Sequence, residues 1–93
     1  MRLEEYEVAA IKKAIESLDC NARIHLFGSR ADDEKKGGDI DLLIFSGKIS
    51  GTDVFEIKES ICEEIGEQKI DIVVAQDESD PFVRIVLRNS VEL

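Results

Sequence analysis

The chain has 93 residues, 21 acidic against 12 basic side chains, a formal net charge of −9 and 43% hydrophobic residues. That length fits one small domain, residues 1–93, with a thin core, and the recurring apolar clusters exclude a disordered chain. A pI near 4.5 excludes a surface that holds nucleic acid or an anionic membrane by charge alone.

Residues 3–18 place Leu3, Ala10, Ile11, Ala14, Ile15 and Leu18 at helical spacing, with charged residues between them. This predicts an amphipathic helix that ends at Asp19-Cys20-Asn21. Residues 22–27 alternate, Ile24 and Leu26 against His25 and Phe27, and predict a strand that stops at Gly28-Ser29. Residues 30–38 are almost wholly polar and predict a loop or one short helical turn.

Residues 39–45 begin by alternating and finish apolar on both faces, as in a central strand whose first end reaches solvent. Asp53 and Glu56 have capping-box spacing. Val54, Ile57, Ile61 and Ile65 form the stripe of a second helix, stopped by Gly66. Lys69 to Ala75 reads as a third strand. Asp80-Pro81 starts a third helix from Phe82 to about Arg88, with Phe82, Ile85 and Val86 on one side. Val91-Glu92-Leu93 adds a short last strand.

No apolar run exceeds four residues and the start lacks a signal-peptide core, so the expected setting is a soluble cytoplasmic protein without membrane contact. Cys20 and Cys62 read as reduced, small core residues. His25 reads as a packed strand residue and not a catalytic base.

The chemistry lies mid-chain. Asp39 and Asp41 are two apart on a strand, so both project from one face, about 7 Å apart at Cα. Repulsion between such carboxylates raises a pKa unless a cation sits between them, and hard oxygen donors suit Mg²⁺ or Mn²⁺. Asp71, between Ile70 and Ile72, points away from the buried residues and supplies a third carboxylate if the second and third strands are neighbours in register. Gly28 lets the backbone approach a ligand, and the N–H groups of a following turn, with the Ser29 hydroxyl, attract phosphate oxygens. Arg30, Lys35 and Lys36 could pair with further phosphate charge.

Phe27-Gly28-Ser29-Arg30, then Gly38-Asp39-Ile40-Asp41-Leu42-Leu43-Ile44, then Lys69-Ile70-Asp71-Ile72-Val73-Val74 resembles the minimal nucleotidyltransferases of the DNA polymerase β superfamily. The resemblance implies an α+β, two-layer fold of palm-like type. Its small mixed sheet of three or four strands has helices packed against it, in the order α-β-β-α-β-α(-β). It implies nucleotide contacts at Gly28 and Ser29, with Arg30 beside them as the expected phosphate contact, and two Mg²⁺ ions (Mn²⁺ in their place) held by Asp39, Asp41 and Asp71, the catalytic set. ATP or another NTP is the implied substrate. Three carboxylates facing two divalent ions leave a local positive charge, so an acidic protein can still receive a polyphosphate. One departure stands out: Asp32-Asp33-Glu34 occupy the stretch where many members carry a further basic residue and glycine.

At this length no acceptor-holding second domain is expected within these residues. The expected acceptor is a hydroxyl on a macromolecular partner. The resemblance implies a helical HEPN-type partner, with this chain as the antitoxin that modifies it. Two alternatives stay open: a vestigial binding module that neutralises a partner by contact, and a standalone enzyme on a small hydroxylated substrate. Self-association as a homo-oligomer would create a pocket for the latter.

Overall fold

The computed structural model describes residues 1–34 and 38–93. Lys35, Lys36 and Gly37, expected in the polar loop, lie outside the described residues. The elements are α1 (Glu5–Glu16), β1 (Arg23–Phe27), a 3-10 turn at Gly28–Ala31, β2 (Ile40–Phe45), α2 (Val54–Ile65), β3 (Ile70–Ala75), α3 (Pro81–Arg88) and β4 (Val91–Glu92). The expected order holds throughout.

The four strands form one sheet in the order β3-β2-β1-β4. β1 runs antiparallel to β2 and β4, whereas β2 and β3 are parallel and joined through α2. A parallel pair needs such a crossover because a tight turn can only reverse the chain. The sheet is therefore mixed, with helices on both faces.

Strand alternation sorts the side chains. Ile24, Leu26, Ile40, Leu42, Ile44 and Ile70 meet Ile11, Ala14 and Ile15 of α1 and Ile57 and Ile61 of α2 in the main core. On the opposite face Leu43 and Phe45 pack with Val83 and Val86 of α3. β2 is covered on both sides, which explains its apolar second half.

Three expectations are corrected. The capping box before α2 is Ser50 with Asp53, whose carboxylate accepts the Ser50 N–H at 2.9 Å; Asp53 itself is already helical. On α3 the sheet buries Val83 and Val86, while Phe82 and Ile85 are 51% and 59% exposed. Both sets have helical spacing, and only the position of the sheet decides between them. Cys20 is exposed and Cys62 half-buried, so Cys20 is no core residue.

The helix starts and stops behave locally. Asp80 caps α3, its carboxylate accepting the Phe82 N–H at 2.8 Å, with Pro81 at the first helical position. Gly66 ends α2 at φ +90°, a conformation that favours glycine.

Candidate functional site

β1 ends opposite Asp41, since Phe27 and Asp41 are register partners. Gly28 then turns the chain at φ +75° into the 3-10 turn. A Cβ built on Gly28 would overlap an Asp41 carboxylate oxygen and lie 3.1 Å from its Cγ. The glycine backbone and the Asp41 carboxylate thus sit in a space that no side chain could share.

The parallel register places Asp41 directly beside Asp71 and, one step earlier, Ile40 beside Ile70. Asp71 is exposed and Asp41 half-buried. Both lie on the sheet face that carries α3. That helix packs farther along the strands, on Leu43 and Phe45, and leaves the aspartate end open. Ser29 opens the turn, and among the described residues its hydroxyl has no hydrogen-bond partner.

The charges are felt mutually. Burial first, then repulsion from Asp71 and Asp39 and a hydrogen bond that the protonated Asp41 carboxyl donates to Asp71, push the Asp41 pKa above its ordinary value; Lys69 acts in the opposite sense. Asp39 stands slightly apart, its carboxylate 3.5 Å from the Lys69 ammonium. Among the described residues no three acidic, histidine or cysteine side chains converge as a ready metal cage. The donor chemistry nevertheless fits a hard divalent cation: oxygen ligands only, and a carboxylate that pays for its neighbours' charge in a raised pKa.

Arg30 differs from its expected role. Its guanidinium is turned into the protein, donating to the Arg2, Gly38 and Gln68 oxygens, with Glu7 3.9 Å away. Both terminal nitrogens are thus engaged inside the protein. The expected phosphate contacts Lys35 and Lys36 lie outside the described residues.

Sequence reasoning missed Lys69 as the partner of Asp39, although parallel register with Ile40 opposite Ile70 would have indicated it. It also missed Arg2, Glu7 and Gln68, distant in the chain from Arg30, for which no local pattern exists. A depression of about 620 Å³ opens beside Gly28, lined by Ala31, Asp32, Asp33, Glu34 and Asn89. A slightly larger groove of about 660 Å³ follows α2 past Lys58 and Cys62 and reaches the carboxylate edge at Lys69. The first touches the glycine turn, although three of its lining residues are acidic.

A glycine turn is thus pressed against the first of two register-paired aspartates. Compared with models of known protein families, the chain matches the nucleotidyltransferase domain over residues 8–93. The chain belongs to that family. No curated protein matches it. The matched span of this nucleotidyltransferase domain takes in the Gly28-Ser29 turn and all three aspartates. It also includes α3 and β4, so the helix beside the open aspartate end falls within the family's extent. Among the described residues, no helix is long and apolar enough to cross a membrane.

Proposed function

We propose that this nucleotidyltransferase moves AMP from ATP, with Mg²⁺, onto a hydroxyl of a macromolecular partner, and that the partner is a helical HEPN-type protein neutralised by the modification. The observation that carries the reading is the register pair Asp41–Asp71 beneath the Gly28 turn. Asp39, Asp41 and Asp71 would hold the divalent cations. When bound, these ions supply charge neutralisation for the leaving pyrophosphate and lower the pKa of the attacking hydroxyl.

The chain's own residues do the rest. The N–H groups of the Gly28 turn and the Ser29 hydroxyl orient the polyphosphate, because glycine lets the backbone approach it closely. The acceptor oxygen attacks the α-phosphorus, a new P–O bond forms, and the bond to the β-phosphate oxygen breaks in line. Asp71, the most exposed of the three, takes the hydroxyl proton. Much of the rate comes from positioning reactants that would otherwise meet by diffusion.

The test is to incubate the protein with each candidate partner, ATP and Mg²⁺, and to read intact masses. One added nucleoside monophosphate, absent with Asp41→Asn, supports the proposal. No increment on any candidate, together with no Mg²⁺-dependent ATP binding by calorimetry, sinks it. A second reading, neutralisation by contact alone, draws support from the acidic wall of Asp32, Asp33 and Glu34 beside Gly28, which repels a triphosphate. An Asp39→Asn, Asp41→Asn double variant that still neutralises the partner would select it.

A further inference from the structure

We propose that Arg30 is the positioning residue of the site, an inward-turned, part-buried guanidinium that holds the glycine turn and both carboxylate strands in one arrangement without touching the ligand. Three segments carry the candidate groups: the turn after β1, the lead-in to β2 and the lead-in to β3. Arg30 stands in the first. One terminal nitrogen donates to the Gly38 carbonyl at 3.1 Å, one residue before Asp39, and to Gln68 Oε1 at 3.0 Å, three residues before Asp71. The other donates to the Arg2 carbonyl at 3.1 Å and faces the Glu7 carboxylate of α1. All three segments and the first helix therefore meet on one planar group.

The contact is reinforced from the other side. The Arg2 N–H donates to the Arg30 carbonyl at 2.8 Å, and the Arg2 guanidinium donates to the Ser29 carbonyl at 3.0 Å. The Ser29 backbone is thereby fixed directly, and the Asp39 and Asp71 backbones through their lead-ins.

Burial tells against a role as phosphate ligand. The Arg30 side chain is 15% exposed and that of Glu7 6%. The Arg30 Nε–H is buried and, among the described residues, has no partner. The guanidinium's planar fork is what the geometry needs: one rigid group serving acceptors from several directions, which a lysine ammonium cannot copy. Residues that orient metal-binding side chains from behind typically change metal affinity by about 10–100-fold when replaced.

The inference rests on the metal-dependent reading for its ligand, so the test has one arm that needs no ligand. Arg30→Lys and Gln68→Ala are compared with wild type by Mn²⁺ titration (electron paramagnetic resonance, no nucleotide), ATP calorimetry and amide hydrogen exchange. Arg30→Lys should weaken Mn²⁺ about tenfold and Gln68→Ala less, with the double variant little worse than Arg30→Lys because the two share one bond. Exchange should quicken at 38–40 and 68–71 while Ile57 and Ile61 stay protected. Unchanged Mn²⁺ affinity in Arg30→Lys with weakened ATP binding would make Arg30 a phosphate ligand and overturn the proposal. Exchange that rises equally at Ile57 and Ile61 would reduce it to a general stability residue, overturning it too. If wild type binds neither Mn²⁺ nor ATP, the proposed function fails, and the positioning role then stands or falls on the exchange pattern.

Discussion

At Gly28 two requirements coincide: the backbone sits at φ +75°, and the space beyond Cα belongs to the Asp41 carboxylate. Gly28→Ala should cost about 1–2 kcal/mol from the left-handed conformation alone, with a further loss from the clash. The variant should fold less stably in urea and lose Mg²⁺-dependent ATP binding. Retention of both would show that the close approach is not needed. At Asp41 the sign is the reverse. Its pKa is raised on folding, so at neutral pH the fold carries a charge it disfavours. Asp41→Asn removes the burial cost of that charge and its repulsion from Asp71 and Asp39, the repulsion worth about 0.5 kcal/mol between partly exposed charges, or about 2–4 °C in melting temperature for a domain this size. The metal-free variant should melt higher than wild type while losing divalent-metal binding. A lower melting temperature would mean that Asp41 makes a contact more valuable than its charge is costly. Stability and site chemistry pull apart here, as they commonly do in functional sites.

At the scale of elements, α3 and β4 close the second face of the sheet through His25. Its Nδ1 lies 3.2 Å from the Ser90 hydroxyl in the α3–β4 turn, and its ring meets Phe45 edge-on. Nε2 is buried and, among the described residues, has no partner. Burial pulls the imidazole pKa below its ordinary 6.5, with Arg23 acting in the same sense and Glu92 and Glu78 opposing. As pH falls through that range the unfolded chain takes up the proton first, so stability declines below about pH 6.5. Urea unfolding at pH 7.5 and 5.0 should show this loss in wild type and a smaller one in His25→Gln. Equal losses would remove His25 from the account. The elements around it were legible to different degrees. Alternation defined β1 and β2, and Asp80-Pro81 marked the start of α3, because these signals are local. The buried side of α3 was not legible: Phe82-Ile85 and Val83-Val86 are both helical pairs, and a distant sheet chooses. The site divides the same way. Gly28, Asp39, Asp41 and Asp71 sit in readable strand-end patterns, whereas the inward turn of Arg30 depends on Glu7, Gly38 and Gln68, brought near only by the finished fold.

Over the whole molecule the net charge of −9 works against compaction, since like charges are closer in the folded state than in the unfolded one. Added monovalent salt screens this repulsion, and the Debye length falls from about 30 Å at 0.01 M to about 10 Å at 0.1 M. The melting temperature should therefore rise modestly with NaCl. Mg²⁺ should do more than its ionic strength accounts for, because ions held by the aspartates bind the folded chain and not the unfolded one. At ten times its dissociation constant a single site contributes about 1.4 kcal/mol, or about 6–11 °C. Melting curves at matched ionic strength, NaCl against MgCl₂, separate the two effects. The excess from MgCl₂ should vanish in Asp41→Asn, whereas the NaCl response should persist because most of the charge is elsewhere. If MgCl₂ and NaCl act alike in wild type, the aspartates hold no divalent ion without nucleotide. Acidity in this chain thus divides, on the proposed function, into two parts that one salt series can tell apart: a diffuse charge that any cation screens, and a local set, Asp39, Asp41 and Asp71, that would distinguish a divalent ion from a monovalent one.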